Sequence, residues 1–351
     1  MDSGLEQVVA AETVLSDVDG RAGRLIIRGV PVEALAVTCS FEGALRHLWS
    51  GWFEELPEAG GLAQALGAAR LMAHDVLWPQ LPSDPVLALR QGWARLGDTE
   101  ALDCALMLAG AAPVFVAAAV RAGQGLAPLR PDPGLSHAAD TLRLMRGTPA
   151  KAADVRALDA YLVTVCDHGL NASTFAARVV ASTRAGLGSA VLAGLSALKG
   201  PLHGGAPGPV LDMLDAIGSL DRAEGWIEAA LARKERLMGF GHRVYRVRDP
   251  RADALKAAVR TLPGTLGRIA FAEGIESQVL ARLAARYPDR RLETNVEFYT
   301  AVLLEALDIP RSAFTAVFAM GRVLGWIAHA REQIAEGRLV RPRSIYVGPQ
   351  A

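Results

Sequence analysis

Ser312-Ala313-Phe314-Thr315-Ala316-Val317-Phe318-Ala319-Met320-Gly321-Arg322-Val323-Leu324-Gly325-Trp326-Ile327-Ala328-His329-Ala330-Arg331-Glu332-Gln333-Ile334-Ala335-Glu336-Gly337 reads as one long helix. Phe314, Val317, Phe318, Gly321, Leu324, Ile327, Ala328, Arg331 and Ile334 recur every three or four residues, which stacks them along one face. Ser312 stands where a hydroxyl caps a first turn, and Gly337 where a left-handed residue closes a last one. Arg322 sits one turn after Phe318 and one turn before Trp326, so this core helix carries a cation on its apolar flank. Such a cation needs a partner or a water-filled cleft.

Outward from this helix the same grammar repeats, and the chain reads as mainly α. Alanine and leucine supply propensity, and β-branched runs are scarce beyond the N-terminus. Further helices are expected over 33–50, closing at Gly51, and over 61–75, 100–121, 136–147, 152–166, 172–185, 189–198, 209–218, 221–237, 252–261, 266–286 and 295–307. One short hairpin is expected, with Thr13-Val14-Leu15-Ser16 and Arg24-Leu25-Ile26-Ile27 flanking the turn dipeptide Asp19-Gly20. Proline and glycine punctuate Leu126–Gly134 as a surface loop and Pro201–Pro209 as a hinge.

The 351 residues are enough for two domains and a sizeable core. Lys+Arg and Asp+Glu are equal at 37 each, so no global field draws in nucleic acid or an anionic membrane, and an anionic ligand must be met by local arginines. Cys39, Cys104 and Cys166 are odd in number and far apart, which argues against a disulfide framework or a CxxC metal site and for a reducing cytoplasm. The start, Met1-Asp2-Ser3-Gly4-Leu5-Glu6, lacks the basic and apolar regions of a secretory signal. The uncharged run Cys104–Val120 falls short of the roughly 20 apolar residues of a membrane helix and is expected to be a core helix.

Three of the 7 histidines stand beside glycine, Asn or Ser: Asp167-His168-Gly169-Leu170-Asn171-Ala172-Ser173, Gly200-Pro201-Leu202-His203-Gly204-Gly205-Ala206 and Gly239-Phe240-Gly241-His242-Arg243-Val244-Tyr245. Loops of this kind present side chains to ligands. A neutral imidazole at His203 suits donation to an oxygen that gains negative charge; alone, it would read as a solvated turn histidine. Gly239 and Gly241 let backbone approach a ligand beside His242, although the third glycine of a dinucleotide loop is missing. Arg246, Arg248 and Arg251 follow within ten residues, either as a solvated face or as a landing place for phosphate and carboxylate groups. Thr294-Asn295-Val296-Glu297 matches a capping box, and either as a cap or as a base Glu297 belongs to the first turn of a helix, where the dipole favours the ionised carboxylate. A metal site is the remaining reading of three histidines and a carboxylate, but no HxxxH, HxxEH or cysteine pair supports it.

The order and context of these motifs resemble the citrate synthase family over nearly the whole chain, with Glu297 where the family has Asp. The resemblance implies a large helical domain, 1–205 and 310–351, and a smaller one, 206–309, closing over a cleft. It implies acetyl-CoA, oxaloacetate and water as substrates of a condensation in the tricarboxylic acid cycle, with no permanently bound cofactor and no metal. Glu297 would remove the acetyl proton, His203 would stabilise the enolate oxygen, and His242 would polarise the oxaloacetate ketone. His168, with Asn171 beside it, and Arg251, Arg322 and Arg341 would hold oxaloacetate. Arg341 would be supplied by the partner of a homodimer. Arg246 would meet CoA phosphate, and the backbone around Leu237, Met238, Gly239 and Gly241 would lie along adenine. The alternatives are a 2-methylcitrate synthase using propionyl-CoA and a catalytically weak paralogue that binds CoA or oxaloacetate as a regulatory protein.

Overall fold

The N-terminal hairpin sets the first constraint on the site. This computed structural model describes residues 4–5, 8–203 and 207–349. Strands β1 (Ser16–Asp19) and β2 (Arg24–Ile27) pair antiparallel, Ser16 opposite Ile27 and Asp19 opposite Arg24, and a two-residue strand β3 (Val30–Pro31) extends the sheet. The second strand lies where the sequence places it. The first begins at Ser16 instead of Thr13, and the turn runs from Gly20 to Gly23. Gly23 is the residue with positive φ, +65°. Gly20 is needed for another reason: a Cβ there would collide with the carbonyl of Val244.

Fifteen α-helices follow among the described residues. The expected helix over 33–50 is two, α1 (Val32–Thr38) and α2 (Phe41–Trp49). Cys39 is extended, and Ser40 caps α2 by accepting the Gly43 N–H at 3.3 Å. A local hydroxyl cap thus outcompetes continuation of the apolar periodicity. Helix α3 (Ala59–Asp75) is as expected, whereas α4 (Pro85–Trp93) was not, although Asp84 caps it through Leu87 N at 2.9 Å and Pro85 opens it.

Helix α5 (Leu102–Gly123) contains the apolar run and has the expected length of 22 residues, displaced by two from the expected 100–121. By length and composition it and 311–336 could each cross a membrane, but 89% of each window is buried inside the fold. Helices α3, α4, α6 (His137–Arg146) and α15 (Phe314–Glu336) pack against α5. Helix α15 starts later than expected: Arg311–Ala313 form a 3-10 turn, Ala313 takes the cap position without a side-chain bond, and Gly337 closes the helix in the left-handed region at φ +72°.

Helices α7 (Ala152–Thr164), α8 (Ala172–Ala181) and α9 (Leu187–Leu198) complete the packing around α15. Helices α10 (Pro207–Ile217), α11 (Leu220–Ala232), α12 (Pro250–Arg260), α13 (Leu266–Arg286) and α14 (Val296–Ala306) pack mainly on one another, while α12 also touches α1 and α7. The domain boundary expected at 205/206, with Gly204, Gly205 and Ala206 of the second histidine motif, lies outside the described residues. Helix α8 stops at Ala181 and α11 at Ala232, each several residues short of expectation. The shorter α11 leaves 233–249 as irregular chain, and that stretch carries His242.

Candidate active site

Two short segments pair edge to edge and set the stretch that leads into His242 beside the start of the helix that carries Glu297. Phe240 forms an isolated antiparallel bridge with Thr294. Gly241 N donates to Glu293 O at 2.7 Å, Asn295 N to Gly239 O at 2.9 Å and the Asn295 side-chain Nδ2 to Gly241 O at 2.8 Å. Gly239 and Gly241 have φ of +86° and +78°, which the pairing requires and which other residues rarely adopt. Helix α14 starts immediately beyond, with Asn295 accepting the Glu297 N–H at 3.0 Å.

The expected capping box is therefore corrected. Asn295, not Thr294, is the cap, and the Thr294 hydroxyl donates to Glu276 at 2.7 Å. Glu297 does lie in the first turn, but its ionisation runs opposite to the helix-dipole expectation. Burial pushes its carboxyl up to about 7, against the pull of Arg236 and Arg251. Desolvation outweighs the dipole because the carboxylate is withdrawn from water, whereas the dipole supplies only a partial charge.

Arg251 is buried and gripped by Asp249, Nε to Oδ1 at 3.0 Å and Nη2 to Oδ2 at 2.8 Å. Asp249 also caps α12 through Arg251 N at 3.1 Å and accepts the Val296 N–H at 3.1 Å, so one carboxylate ties Arg251 to the helix that carries Glu297. The sequence reading gave Asp249 no role, although Asp followed by Pro is a helix-start signature.

The tautomer of His242 follows from its neighbours. Nδ1 accepts from Val244 N and Tyr245 N, both at 3.0 Å, so in the neutral ring the proton sits on Nε2. Burial, then Arg251, holds the imidazolium pKa down at about 4, so the ring is neutral at pH 7. Its Nε2 lies 3.5 Å from Arg251 Nη2. With the proton on Nε2 both atoms are donors, so no hydrogen bond joins them, and they are near enough for one acceptor oxygen to bridge them.

His168 joins the same cluster. Its Nε2 is 3.1 Å from the Tyr245 hydroxyl, its ring centroid is 5.7 Å from that of His242, and burial and then Arg251 depress its pKa well below the usual value. Arg322 approaches from α15, with Nε donating to Val165 O at 2.7 Å and the guanidinium 4.9 Å from the Phe318 ring. Burial lowers its pKa to about 10, with the Asp167 carboxylate opposing. The partner that a core arginine needs is thus the turn just before His168.

His203 reaches the cluster through Ser173. Its Nε2 lies 2.9 Å from Ser173 Oγ, which also accepts from Trp326 Nε1 at 3.2 Å and stands 2.8 Å from Asn171 Oδ1. Burial, then Arg322, lowers the His203 pKa to about 4, keeping it neutral at pH 7. Asn171 acts as the cap of α8, accepting from Ser173 N and Thr174 N at 3.1 Å each, and so fixes the serine that His203 meets. Ser173, Trp326 and Tyr245 were missed as site residues because nothing marks them before the chain folds. Tyr161 was missed too: its buried hydroxyl has no hydrogen-bond partner among the described residues, and Arg322 and Glu297 are its charged neighbours.

The expected arginine cluster divides three ways. Arg251 enters the site, Arg248 is engaged by Asp253 at 2.6 Å and Glu276 at 2.8 Å, and Arg246 is exposed beside the hairpin tip, where its N–H donates to Gly20 O at 2.7 Å. Leu237 is buried and Met238 half-buried behind the Gly239–Gly241 backbone. Arg341 does not join the cluster within this chain: it is exposed on the C-terminal tail, next to Val340, whose N–H donates to Ser182 Oγ at 3.0 Å. Ser182 stands at the opposite end of α8 from Asn171, about 16 Å away at the rise of a helix. Among the described residues no group of three His, Cys, Asp or Glu side chains is arranged to hold a metal ion.

Comparison with known proteins identifies the family. The family model described as "Citrate synthase, C-terminal domain" matches residues 4–343. Citrate synthase from Mycolicibacterium smegmatis is 37% identical, covering 98% of this chain and 94% of that protein, and Citrate synthase 2 from Bacillus subtilis is 35% identical, covering 99% and 95%. The crystal structure of citrate synthase from Thermotoga maritima superimposes with a TM-score of 0.85 at 35% identity, over 100% of this chain and 97% of that one. The citrate synthase from Thermoplasma acidophilum, in a ternary complex with carboxymethyl coenzyme A and oxaloacetate, gives a TM-score of 0.88 at 27% identity over 100% of this chain and 97% of that one. The chain belongs to the citrate synthase family and is an enzyme of that type.

Proposed function

We propose that this enzyme condenses acetyl-CoA with oxaloacetate and hydrolyses the product thioester, giving citrate and CoA. The observation that carries the reading is the proximity of two donors, His242 Nε2 and Arg251 Nη2, 3.5 Å apart, in a site whose half-buried carboxyl, Glu297, titrates at about 7. The donors suit the ketone and adjoining carboxylate of oxaloacetate. A carboxylate poised near neutrality suits abstraction of a proton beside a carbonyl.

In the first step Glu297 takes a proton from the methyl carbon of the thioester, and His203 donates a hydrogen bond to the enolate oxygen. If donation is through Nδ1, Nε2 must accept, and the Ser173 hydroxyl at 2.9 Å is the group able to turn its single proton from Asn171 to the ring. The enolate carbon then attacks the ketone carbon. The ketone oxygen, hydrogen-bonded by His242, takes up a proton and becomes the hydroxyl of the product, and water releases CoA by attack on the thioester. Arg251, Arg322 and His168 hold the dicarboxylate; Arg246 and the Leu237–Gly241 backbone receive CoA.

The reading includes a cytoplasmic homodimer in which Arg341 of one protomer completes the other's site, and closure of 206–309 over the cleft. It is supported by the exposed place of Arg341 on an extended tail whose Leu339, Ile345, Tyr346 and Val347 are all exposed, apolar chain of the kind that a partner covers. Thiol release from acetyl-, propionyl- and butyryl-CoA with oxaloacetate tests the activity. Turnover greatest with acetyl-CoA is expected; a propionyl-CoA preference would make it a 2-methylcitrate synthase, and binding of both substrates without turnover a binding protein.

A further inference from the structure

A line of buried polar side chains runs along α15, away from the substrate cluster, and the reaction above does not use it. Arg178, 1% exposed, donates from Nε to Gln333 Oε1 at 2.9 Å, from Nη1 to Glu332 Oε2 at 2.5 Å and to His329 Nδ1 at 3.2 Å, and from Nη2 to Glu336 Oε1 at 3.1 Å. The other Glu332 oxygen accepts the Val14 N–H at 2.9 Å. His329 is fully buried, and its Nε2 lies 3.2 Å from Asp167 Oδ1 and 3.4 Å from Oδ2.

The direction of each bond is forced. A guanidinium only donates, so His329 Nδ1 accepts, the ring proton is on Nε2, and Nε2 donates to Asp167. Asp167 is also fully buried and receives the Ser16 hydroxyl, while the Arg322 guanidinium offsets its charge. Ser16 Oγ in turn accepts the Gly169 N–H at 2.9 Å. The Asp167 carboxylate therefore sits under the turn that aims His168, held from one side by His329 and from the other by the N-terminal hairpin.

We infer that His329 is a positioning residue for the oxo-acid substrate: it orients Asp167, and Asp167 sets the direction of His168 and balances the charge of Arg322. Stability alone is a poor reason for the line, because a buried ionic network is commonly no more stabilising than a well-packed apolar one. Close packing supports a precise role. Gly325 N donates to Cys166 O at 3.1 Å, and a Cβ on Gly325 would come within 2.6 Å of Asp167 Oδ1. A turn held this tightly has little room to find a second arrangement, so the donors to Asp167, His329 from one side and Ser16 from the other, decide its pose.

The inference rests on the proposed binding of oxaloacetate by His168 and Arg322, so the test separates the two. Oxaloacetate is titrated calorimetrically into parent, His329→Asn, His329→Gln and Ser16→Ala proteins, and steady-state KM is measured for both substrates. Asn offers an acceptor near Nδ1 but no donor at the Nε2 position, whereas Gln places an amide N–H there. The expected result is a roughly 10–100-fold loss of oxaloacetate affinity in His329→Asn, recovery of most of it in His329→Gln, a smaller loss in Ser16→Ala, and an unchanged acyl-CoA KM in all. Parent protein that does not bind oxaloacetate would remove the functional reading. Parent that binds, with folded His329→Asn and Ser16→Ala binding equally well, or with Asn and Gln variants weakened alike in step with their melting temperatures, would overturn the positioning role alone.

Discussion

His242 Nε2 stands 3.5 Å from Arg251 Nη2, and with the imidazole proton on Nε2 both atoms are donors. Each is fixed from behind, His242 by two backbone N–H groups on Nδ1 and Arg251 by the bidentate Asp249. Donors held in place before the ligand arrives lose little freedom when it binds, and such preorganisation is what makes a polar site effective.

Arg251→Ala or Arg322→Ala should weaken oxaloacetate binding by about 2–5 kcal/mol, because each strips a buried charge-assisted contact. Arg251→Ala should also strand the Asp249 carboxylate, which is 1% exposed, and lower the melting temperature. Calorimetric titration of both variants checks this; binding equal to the parent in both would remove the oxaloacetate assignment.

Glu297 should give the enzyme an acidic limb. Its carboxyl titrates at about 7 in the free protein, so kcat/KM for the acyl-CoA should fall as pH drops through that value and the base becomes protonated. The stability effect has the opposite slope. A carboxyl whose folded pKa exceeds its unfolded value of 4.5 binds protons more tightly when folded, so its contribution is greatest below 4.5 and is lost as pH rises through about 7. Glu297→Gln should therefore gain in melting temperature relative to the parent between pH 5 and 8, a difference that parallel thermal scans read directly.

Subunit sharing predicts complementation. His203→Ala and Arg341→Ala homodimers should each be nearly inactive, and mixed dimers should recover one competent site. Activity that fails to return after exchange is confirmed by mass-tagged subunits would count against a shared arginine.

Gly325→Ala should destabilise the protein by about 1–3 kcal/mol through overpacking, since the added methyl meets the Cys166 carbonyl and the Asp167 carboxylate. Denaturant titration gives the magnitude. A neutral effect would mean that α15 and the 165–167 turn part more easily than their packing indicates.

Much of this was legible in the sequence, for identifiable reasons. Long periodic helices such as α13, found at 266–286 as expected, declare themselves because a repeated apolar face needs no partner to be recognised. His168, His203 and His242 drew notice because glycine-flanked histidines are locally odd, Arg322 as a cation on a core helix, Arg251 in an arginine cluster and Glu297 in a capping box, while the roles expected of all six came from the family resemblance. What escaped depends on distance through space. Ser40 breaks one expected helix into two by capping, and α4 is short enough for its Asp-Pro start to pass unnoticed. Tyr245, Ser173 and Asp249 acquire roles only when distant segments meet, Ser173 with Trp326 across 153 residues, Tyr245 with His168 across 77 and Asp249 with Val296 across 47. The ionisation of Glu297 was misjudged because the first-turn position is visible in sequence and the burial is not.

The most direct test of the account is whether Glu297 removes the acyl α-proton. Exchange of the acetyl-CoA methyl protons into deuterium oxide is followed by NMR in the presence of an oxaloacetate analogue that cannot condense, which isolates proton removal from later steps. The account predicts exchange in the parent, none in Glu297→Gln, whose amide cannot take a proton, and exchange retained or raised in Glu297→Asp. Exchange that persists in folded Glu297→Gln would contradict it and show that another base does the work.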